Sequence, residues 1–327
     1  MRIHRPARVA AALAALLLPA LGGCSSAADD GTLEIAVVPK GTTNEYWKAL
    51  HAGAEAAAQE LGVRIVWKGP LQENDREAQQ KVVEDLVVRG VDGLVLVPLD
   101  SKALVPPVKE ADGRGIPVVV ADSDLEWDGR ASYVATDNRR GGELAAEALV
   151  DMLGGKGKVL VLRHMEGSAS THAREEGFLS KIAASSGIEV LSSNQYAGPQ
   201  PEGAYQAAEN LLNSFAEVDG VFCPSEPSVF GMLRALQDAG RADGLHFVGF
   251  DSNEKLVEAL REGEIDALVL QSPVRMGELA VRACVEAARG GTPDEVIDTG
   301  VTVVRSAEVD DPAVQALLRP DLSILGQ

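Results

Sequence analysis

The stretch Leu245-His246-Phe247-Val248-Gly249-Phe250-Asp251-Ser252-Asn253 decides the fold of this chain. Its apolar run predicts a buried strand that ends in a carboxylate, at Asp251, and leads directly into a helix. The segment 116–123 has the same pattern, with its carboxylate at Asp122. Because open parallel sheets bind ligands at the carboxyl ends of their strands, the two aspartates predict two half-sites that face one cleft. Carboxylates, which only accept hydrogen bonds, suit a ligand rich in hydroxyl donors.

Strands and helices alternate along the chain, which is the βαβ pattern of a parallel sheet. The alternation runs once up to residue 121, passes a crossing segment at 132–137 and then restarts. Two successive sets of similar size predict an α/β fold with two similar lobes, each a doubly wound parallel sheet, joined by a hinge of several strands. The strands are predicted at 33–38, 63–67, 93–97, 118–121, 158–162, 188–192, 220–223, 246–250, 267–270 and 301–305.

Helices are predicted between these strands. The spacing from Asn74 to Glu77 is that of a capping box and opens a helix that runs to residue 88. A helix that starts at Ser101 must begin late or bend, because prolines stand at 106 and 107. The other helices are predicted at about 44–61, 139–153, 171–186, 201–216, 227–239, 253–262 and 274–289.

The last helix and the last strand have to return across the boundary between the lobes, because they follow the second set of strands. We therefore expect an N-terminal lobe made of residues 32–136 plus 272–300. The C-terminal lobe is expected to contain residues 137–271 plus 301–327. At 327 residues the chain is long enough for two such domains.

The first 23 residues have the pattern of an export signal. Arginines at 2, 5 and 8 precede an apolar run at 9–20 that is too short for a stop-transfer helix. The run ends in Leu21-Gly22-Gly23-Cys24, which is similar to the lipobox of bacterial lipoproteins. We expect a signal peptide at 1–23, a lipid on Cys24, and a tether at 24–31 that holds the protein to a membrane outside the cytoplasm. The alternative is an ordinary secretory signal with a chance cysteine.

Two further cysteines, Cys223 and Cys284, fall in different predicted elements, one at the end of a strand and one inside a helix. The sequence alone does not establish a disulfide between them. We expect both to be buried free thiols.

The composition and the motifs argue against several classes of protein. A formal net charge of -19 does not suit a nucleic-acid partner, because phosphate backbones require clusters of Lys and Arg. The first strand leads into Pro39-Lys40-Gly41-Thr42-Thr43-Asn44, which lacks the Gly-x-Gly-x-x-Gly turn of a dinucleotide enzyme. The five histidines are dispersed, and Ser168, Ser170 and His172 have no evident orienting partner. We therefore expect no enzyme activity, no cofactor and no metal site.

Five sequence runs, in the same order along the chain, resemble those of one family. From residue 32 to about residue 305 the chain is similar to the periplasmic sugar-binding proteins of the ribose-binding and LacI-like group, which have the type I solute-binding fold. The resemblance implies a monomer that captures a sugar or polyol between its lobes and delivers it to an ABC permease. The runs are DLVVRGVDGL at 85–94, ATDNRRGG at 135–142, AREEGF at 173–178, GMLRAL at 231–236 and VGFD at 248–251.

The resemblance also implies which residues bind the ligand. Asn44 falls where the family has a polar residue that binds hydroxyls, and Tyr46 and Trp47 fall where it has the aromatic rings that stack on the sugar. The strand-end aspartates, Asp122 and Asp251, match two aspartates of the family. Arg174 and Gln271 match an arginine of the second lobe and a glutamine of the hinge.

Each of these assignments has a structural alternative. Tyr46 and Trp47 are also apolar positions of an amphipathic helix. Each of the two aspartates stands where a residue would cap the next helix. Arg174 can tie down a loop by bidentate pairing, and Gln271 can belong to a surface turn.

Three departures from the ribose-binding pattern argue against ribose as the ligand. Ser123 stands where those proteins have an arginine after the first aspartate, and His172 stands where they have one before Arg174. Ser225-Glu226 replaces an expected Asn-Asp pair. His172 and Ser225 stay candidate ligand-binding residues, with a solvated loop as the alternative for His172. Another pentose, a hexose, a polyol or a modified sugar stays open.

Two other functions use lobes of this kind. A LacI-type repressor carries an N-terminal helix-turn-helix where this chain has its export signal, so we reject that function. A lipid-anchored sensor would present the loaded lobes to a receptor kinase or chemoreceptor instead of a permease, and it would share every residue of the cleft. The sensor therefore stays open as the alternative function.

Overall fold

The computed structural model describes Met1 and residues 31–326. The described residues from 33 to 326 belong to one compact unit. The predicted signal peptide beyond Met1, the lipid attachment at Cys24 and the tether up to residue 30 lie outside the described residues. Among the described residues, no helix has both the length and the apolar sequence that a membrane crossing requires.

The strands follow the predicted alternation closely. Those at 118–121, 220–223, 246–250 and 267–270 have the predicted bounds, and two strands, at 132–135 in the crossing segment and at 296–298, were not among those predicted. The strands are β1 (Glu34–Val38), β2 (Arg64–Trp67), β3 (Gly93–Leu96), β4 (Val118–Ala121), β5 (Ser132–Ala135), β6 (Lys156–Arg163), β7 (Gly187–Tyr196), β8 (Gly220–Cys223), β9 (His246–Phe250), β10 (Ala267–Leu270), β11 (Val296–Asp298) and β12 (Thr302–Val304).

The helices differ from the prediction by up to four residues at either end, and the one at 312–318 was not predicted. The second helix is capped by Asp75, whose Oδ1 accepts from the backbone N of Ala78 at 2.8 Å, so the predicted cap at Asn74 is wrong by one residue. The third helix begins late, with both prolines in its first turn, where no intrahelical N–H bond is lost. The helices are α1 (Glu45–Leu61), α2 (Arg76–Arg89), α3 (Val105–Gly113), α4 (Asn138–Met152), α5 (Ala169–Ile182), α6 (Pro201–Ser214), α7 (Glu226–Asp238), α8 (Glu254–Glu262), α9 (Pro273–Ala288) and α10 (Pro312–Leu318).

The described strands form two sheets of six strands with equivalent orders. The first has the order β11-β5-β4-β3-β1-β2 and the second β12-β10-β9-β8-β6-β7. Neighbouring strands are parallel except β10 and β12. We call the first sheet with its helices lobe 1 and the second sheet with its helices lobe 2. The chain passes between the sheets after β5, β10 and β11, and the exact residue boundaries of the lobes stay a prediction.

Helices cover both faces of each sheet, so the central strands are buried on both sides. Every residue of β3, β4, β8 and β10 is buried. Cys223 in β8 and Cys284 in α9 are buried and free, as the sequence predicts. Rigid central strands fix the positions of the polar residues that follow them.

Two glycines allow α4 and α5 to pack closely in lobe 2. A Cβ on Gly142 would lie 1.9 Å from the carbonyl oxygen of Arg174, and a Cβ on Gly177 would lie 2.1 Å from the carbonyl oxygen of Arg139. Only residues without a side chain permit this contact. The contact fixes the position of α5 and therefore of Arg174.

Candidate functional site

Polar residues that follow six of the strands line one cavity at the carboxyl edges of the two sheets. The cavity has a volume of about 50 Å³, and residues of both lobes line it. We call this cavity, with the residues that line it, the cleft. The strand-end residues of the cleft are Lys40 after β1, Asp122 after β4, His164 after β6, Ser225 after β8, Asp251 after β9 and Gln271 after β10.

Asp122 and Asp251 share an unusual backbone conformation, with φ angles of 60° and 67°. The left-handed region costs a residue with a side chain about 1–3 kcal/mol, and it recurs at functional sites. Neither aspartate caps a helix. Asn253 caps α8 by accepting from the backbone N of Leu256 at 3.0 Å, and Asp137 caps α4. The capping alternative is therefore wrong for both aspartates.

Asp122 is a buried carboxylate with two donors. The Nζ of Lys40 lies 3.0 Å from its Oδ2, and the Oη of Tyr46 donates to its Oδ1 at 2.8 Å. Burial opposes ionisation, but the charges of Lys40 and Arg174 and these hydrogen bonds hold the pKa of Asp122 below its usual value. The carboxylate of Asp122 is thus charged at neutral pH and available as an acceptor.

Asp251 has a weaker set of donors. The Nε2 of Gln271 donates to its Oδ1 at 2.7 Å, and the Nη1 of Arg174 lies 3.3 Å from its Oδ2. Burial raises the pKa of Asp251, and Arg174 only partly offsets that effect. A ligand hydroxyl at this carboxylate would add a donor and favour its charged form.

Arg174 also has a structural role, although through separate partners and not through the bidentate pair that its alternative predicts. Its Nη1 donates to the carbonyl oxygen of Pro224 at 2.9 Å, and its guanidinium lies 3.9 Å from the centre of the Phe250 ring. Its Nε donates to the Oδ1 of Asn138 at 2.8 Å, and the Nδ2 of Asn138 donates to the carbonyl oxygen of Asp122 at 3.3 Å. Arg174 therefore links the strand-end turns of both lobes while it lines the cleft.

Tyr46 and Trp47 both line the cleft, and Trp47 also belongs to the apolar core of lobe 1. Their rings meet edge to face, with centroids 4.8 Å apart. The Nε1 of Trp47 donates to the Oε1 of Glu73 at 2.7 Å. Burial, with the charges of Asp122 and Asp251, raises the pKa of Tyr46, so its hydroxyl stays protonated. Trp47 is therefore both a core residue of lobe 1 and a residue that lines the cleft.

Side chains of the two lobes contact each other directly across the cleft. The Nζ of Lys40 donates to the Oγ of Ser170 at 3.2 Å, and the backbone N of Ser170 donates to the Oγ of Ser123 at 3.1 Å. Asn44 caps α1, and its Nδ2 donates to the Oε2 of Glu226 at 3.4 Å. The lobes are closed on each other, and Ser123 takes part in that contact.

His172 does not lie in the cleft. It is exposed, and its Nδ1 accepts from the Nη2 of Arg163 at 3.1 Å. The histidine that lines the cleft is His164, whose Nδ1 lies 2.9 Å from the Oγ of Ser225. Burial, and then the charges of Lys40 and Arg174, lower the pKa of His164 to about 3, so the ring is neutral.

The sequence reasoning missed several residues that line the cleft. Lys40 and His164 follow strands, so the rule that found the two aspartates could have found them. Glu73 lies in the loop between β2 and α2, where no periodic signal exists. The other missed lining residues are Ser170, Thr171, Glu226, Pro227 and Ser252.

Comparison with known proteins identifies the family. Residues 35–292 match the periplasmic binding protein domain. The chain belongs to this family. Its membership confirms the resemblance and the predicted fold class, two parallel-sheet α/β lobes of the type I kind. Family members are binding proteins, which agrees with the expectation that the chain is not an enzyme.

Three relatives extend the comparison. The ribose import binding protein of Bacillus subtilis is 30% identical over 247 residues, which cover 76% of this chain and 79% of that protein. The xylitol-binding protein of Mycolicibacterium smegmatis is 29% identical over 264 residues, 80% of this chain and 74% of that protein. An ABC transporter solute-binding protein from Agrobacterium vitis, solved with bound D-fucose, superimposes with a TM-score of 0.84 at 35% identity and covers 87% of this chain and 99% of its own.

Proposed function

We propose that this chain is an extracytoplasmic solute-binding protein that captures a sugar or another polyol in its cleft and delivers it to an ABC permease. The observation that carries the proposal is that Asp122 and Asp251, from separate lobes, line one cavity with the rings of Tyr46 and Trp47. Carboxylates accept hydrogen bonds from hydroxyls, and aromatic rings cover the apolar faces of sugars. Two of the relatives described above are named for ribose and xylitol, and the third was solved with D-fucose bound; all three compounds are rich in hydroxyls.

Each contacting side chain has a distinct task in this proposal. Asp122 and Asp251 accept from hydroxyls, Arg174 donates to ligand oxygens, and Trp47 covers one face of the ring. His172 is left out, because it is exposed on the far side of α5. The proposed ligand-binding residues are Asn44, Tyr46, Trp47, Asp122, Arg174, Ser225, Asp251 and Gln271.

Binding requires the lobes to move. Ligand pockets are typically on the order of 300 Å³ or more, whereas the cleft measures about 50 Å³. The contacts of Ser170 with Lys40 and Ser123 must therefore break before a sugar enters. Closure around the ligand then pairs its hydroxyls with buried acceptors and gives the permease a single shape to bind.

The N-terminal pattern supports a lipid anchor in this proposal. Removal of residues 1–23 would leave Cys24 as the acylated first residue of a monomer that contacts the membrane only through its lipid. Labelling of cells with a radioactive fatty acid tests this part: the wild type is expected to carry the label and Cys24→Ser to lack it. A wild type without the label would contradict the anchor.

A thermal-shift screen of the purified mature protein tests the binding function. The panel contains pentoses, hexoses, polyols and non-sugar metabolites. A ligand specific to the folded state raises the melting temperature, so at least one polyhydroxy compound is expected to do so, and calorimetry then gives its affinity. Stabilisation by non-sugar metabolites alone, or by none of the panel, would overturn the proposal.

A further inference from the structure

More acidic than basic side chains line the cleft. Four carboxylates face two cations, Lys40 and Arg174. Lys40 pairs with Asp122 at 3.0 Å, and Arg174 pairs with Asp251 at 3.3 Å. Among the described residues, no ion pair joins either of the other two carboxylates to a cation. These two carboxylates belong to Glu73 and Glu226.

Neutral groups hold Glu73 and Glu226 in position. Glu73 accepts from the indole N–H of Trp47 at 2.7 Å, and Glu226 accepts from the amides of Asn44 and Asn253. Both side chains are partly buried. Burial raises the pKa of each; the charge of Lys40 partly offsets this effect at Glu73, whereas the charges of Asp251 and Glu73 add to it at Glu226. The two carboxyl groups are therefore held in place by neutral donors, and no ion pair among the described residues compensates them.

Gln271 supplies an independent sign of a missing donor. Its Nε2 donates to Asp251, which fixes the orientation of the amide. Its Oε1 is buried and has no hydrogen-bond partner among the described residues, although the side chain lines the cleft and Gln271 is only 5% exposed. Buried acceptors without donors are rare and unfavourable. The cleft therefore has a surplus of acceptors and two carboxyl groups without a cationic partner among the described residues.

We propose that the ligand is a polyol that carries a protonated amine, such as an amino sugar, bound with its ammonium group on the side of Glu73 and Glu226. An ammonium group brings three donors, no acceptor and a positive charge, whereas a hydroxyl brings one donor and no charge. The hydroxyls of the same ligand bind at Asp122 and Asp251. This inference rests on the proposed function and narrows its class of ligand.

Matched sets of sugars test the inference by calorimetry at neutral pH. Each set contains a 2-amino- or 6-amino-deoxyhexose, its neutral parent hexose and its N-acetylated form, which keeps the nitrogen and loses the charge. At least one amino sugar is expected to bind about tenfold or more tightly than both neutral members of its set, since a charged hydrogen bond exceeds a neutral one by roughly that factor. The inference is overturned if the neutral members bind as tightly as the amine in every set.

Two isosteric variants test whether Glu226 and Glu73 cause the preference for the amino sugar. Glu226→Gln and Glu73→Gln remove charge without removing volume, and each is expected to reduce the preference for the amino sugar several-fold, on the order of one lost charged contact. Glu254→Gln is the matched control, because Glu254 is an exposed carboxylate near the cleft that does not line it. Melting temperatures verify that the variants fold, and an unchanged preference in both cleft variants would overturn the inference.

The test separates this inference from the proposed function. If neutral hexoses, pentoses or polyols bind and amino sugars do not, the inference is wrong and the solute-binding function stands. If no polyhydroxy compound binds, with or without an amine, both are wrong.

Discussion

Asp122 and Asp251 occupy equivalent positions in two lobes: each directly follows a buried parallel strand, and each has a left-handed backbone, with φ angles of 60° and 67°. They are the described residues other than glycine with a positive φ. A left-handed turn after the strand directs each chain away from its sheet while the carboxylate stays at the sheet edge. In both lobes, a left-handed aspartate directly after a strand thus places its carboxylate at the same cleft.

Asp251→Asn is expected to weaken ligand binding by about 1.5–3 kcal/mol, the range for hydrogen bonds to charged groups. Asparagine tolerates the left-handed region, and it relieves the cost of burying a carboxylate whose pKa burial raises, so folding is expected to persist. Calorimetry measures the affinity, and Asp243→Asn, at an exposed position, serves as the control with the same net charge. An unchanged affinity in Asp251→Asn would remove Asp251 from the site.

Apolar patterning predicted the lobes and two of the strand-end residues, Asp122 and Asp251, because strands of parallel sheets and their carboxyl edges follow from it, whereas Ser225 and Gln271 came from the family resemblance. His172 was misplaced because its assignment came from the family resemblance and not from the helical periodicity of α5. Residues two apart on a helix point in roughly opposite directions, so His172 faces away when Arg174 faces the cleft. Residues three and four before Arg174 share its face, and these are Thr171 and Ser170, which line the cleft.

Other features could not be predicted because they depend on packing between distant segments. Glu73 lines the cleft from an irregular loop, where it is held by the indole of Trp47. The unpredicted strand β11 is three residues long and depends on pairing with β5. Asn253 and not Asp251 caps α8 because Asp251 has a left-handed backbone conformation. No sequence pattern predicts that conformation.

Ser170→Ala is expected to favour the open form of the unliganded protein. The Oγ of Ser170 accepts from Lys40 across the cleft, so its removal costs the closed form about 0.5–1.5 kcal/mol. Small-angle scattering should show a larger radius of gyration without ligand, and affinity should fall by up to about tenfold. Ser192→Ala is the control, because the hydroxyl of Ser192 donates to Asn194 within β7 and not across the cleft. Unchanged scattering and affinity would mean that this contact does not hold the lobes together.

His164 is expected to make stability depend on pH. In the folded chain its pKa is lowered to about 3, from 6.5 in an ordinary histidine, so below about pH 6.5 the unfolded state binds a proton that the folded state does not. The contribution of His164 to the free energy of unfolding is therefore fully present above the pKa that it has in the unfolded chain. That contribution falls as the pH drops toward the pKa that it has in the folded chain.

His164→Asn removes this dependence and keeps an amide near Ser225. Between about pH 6.5 and pH 5 the wild type is expected to lose up to about 2 kcal/mol relative to the variant, as measured by denaturant unfolding at each pH. Carboxylates of the cleft titrate in both proteins, so the difference between the two curves isolates the histidine. Parallel curves would mean that His164 titrates normally in the folded state.

Gly142→Ala tests whether the contact between α4 and α5 fixes the cleft. The added Cβ would lie 1.9 Å from the carbonyl oxygen of Arg174, a backbone atom that cannot rotate away, so the helices must separate. Overpacking of this kind costs about 1–3 kcal/mol or more, and the melting temperature is expected to fall accordingly. Ligand affinity should fall too, because Arg174 moves with α5.

Gly113→Ala in α3, where nothing lies within 4 Å of the added Cβ, is expected to be neutral or slightly stabilising. If both variants melt like the wild type and bind equally well, close packing of α4 on α5 does not position Arg174.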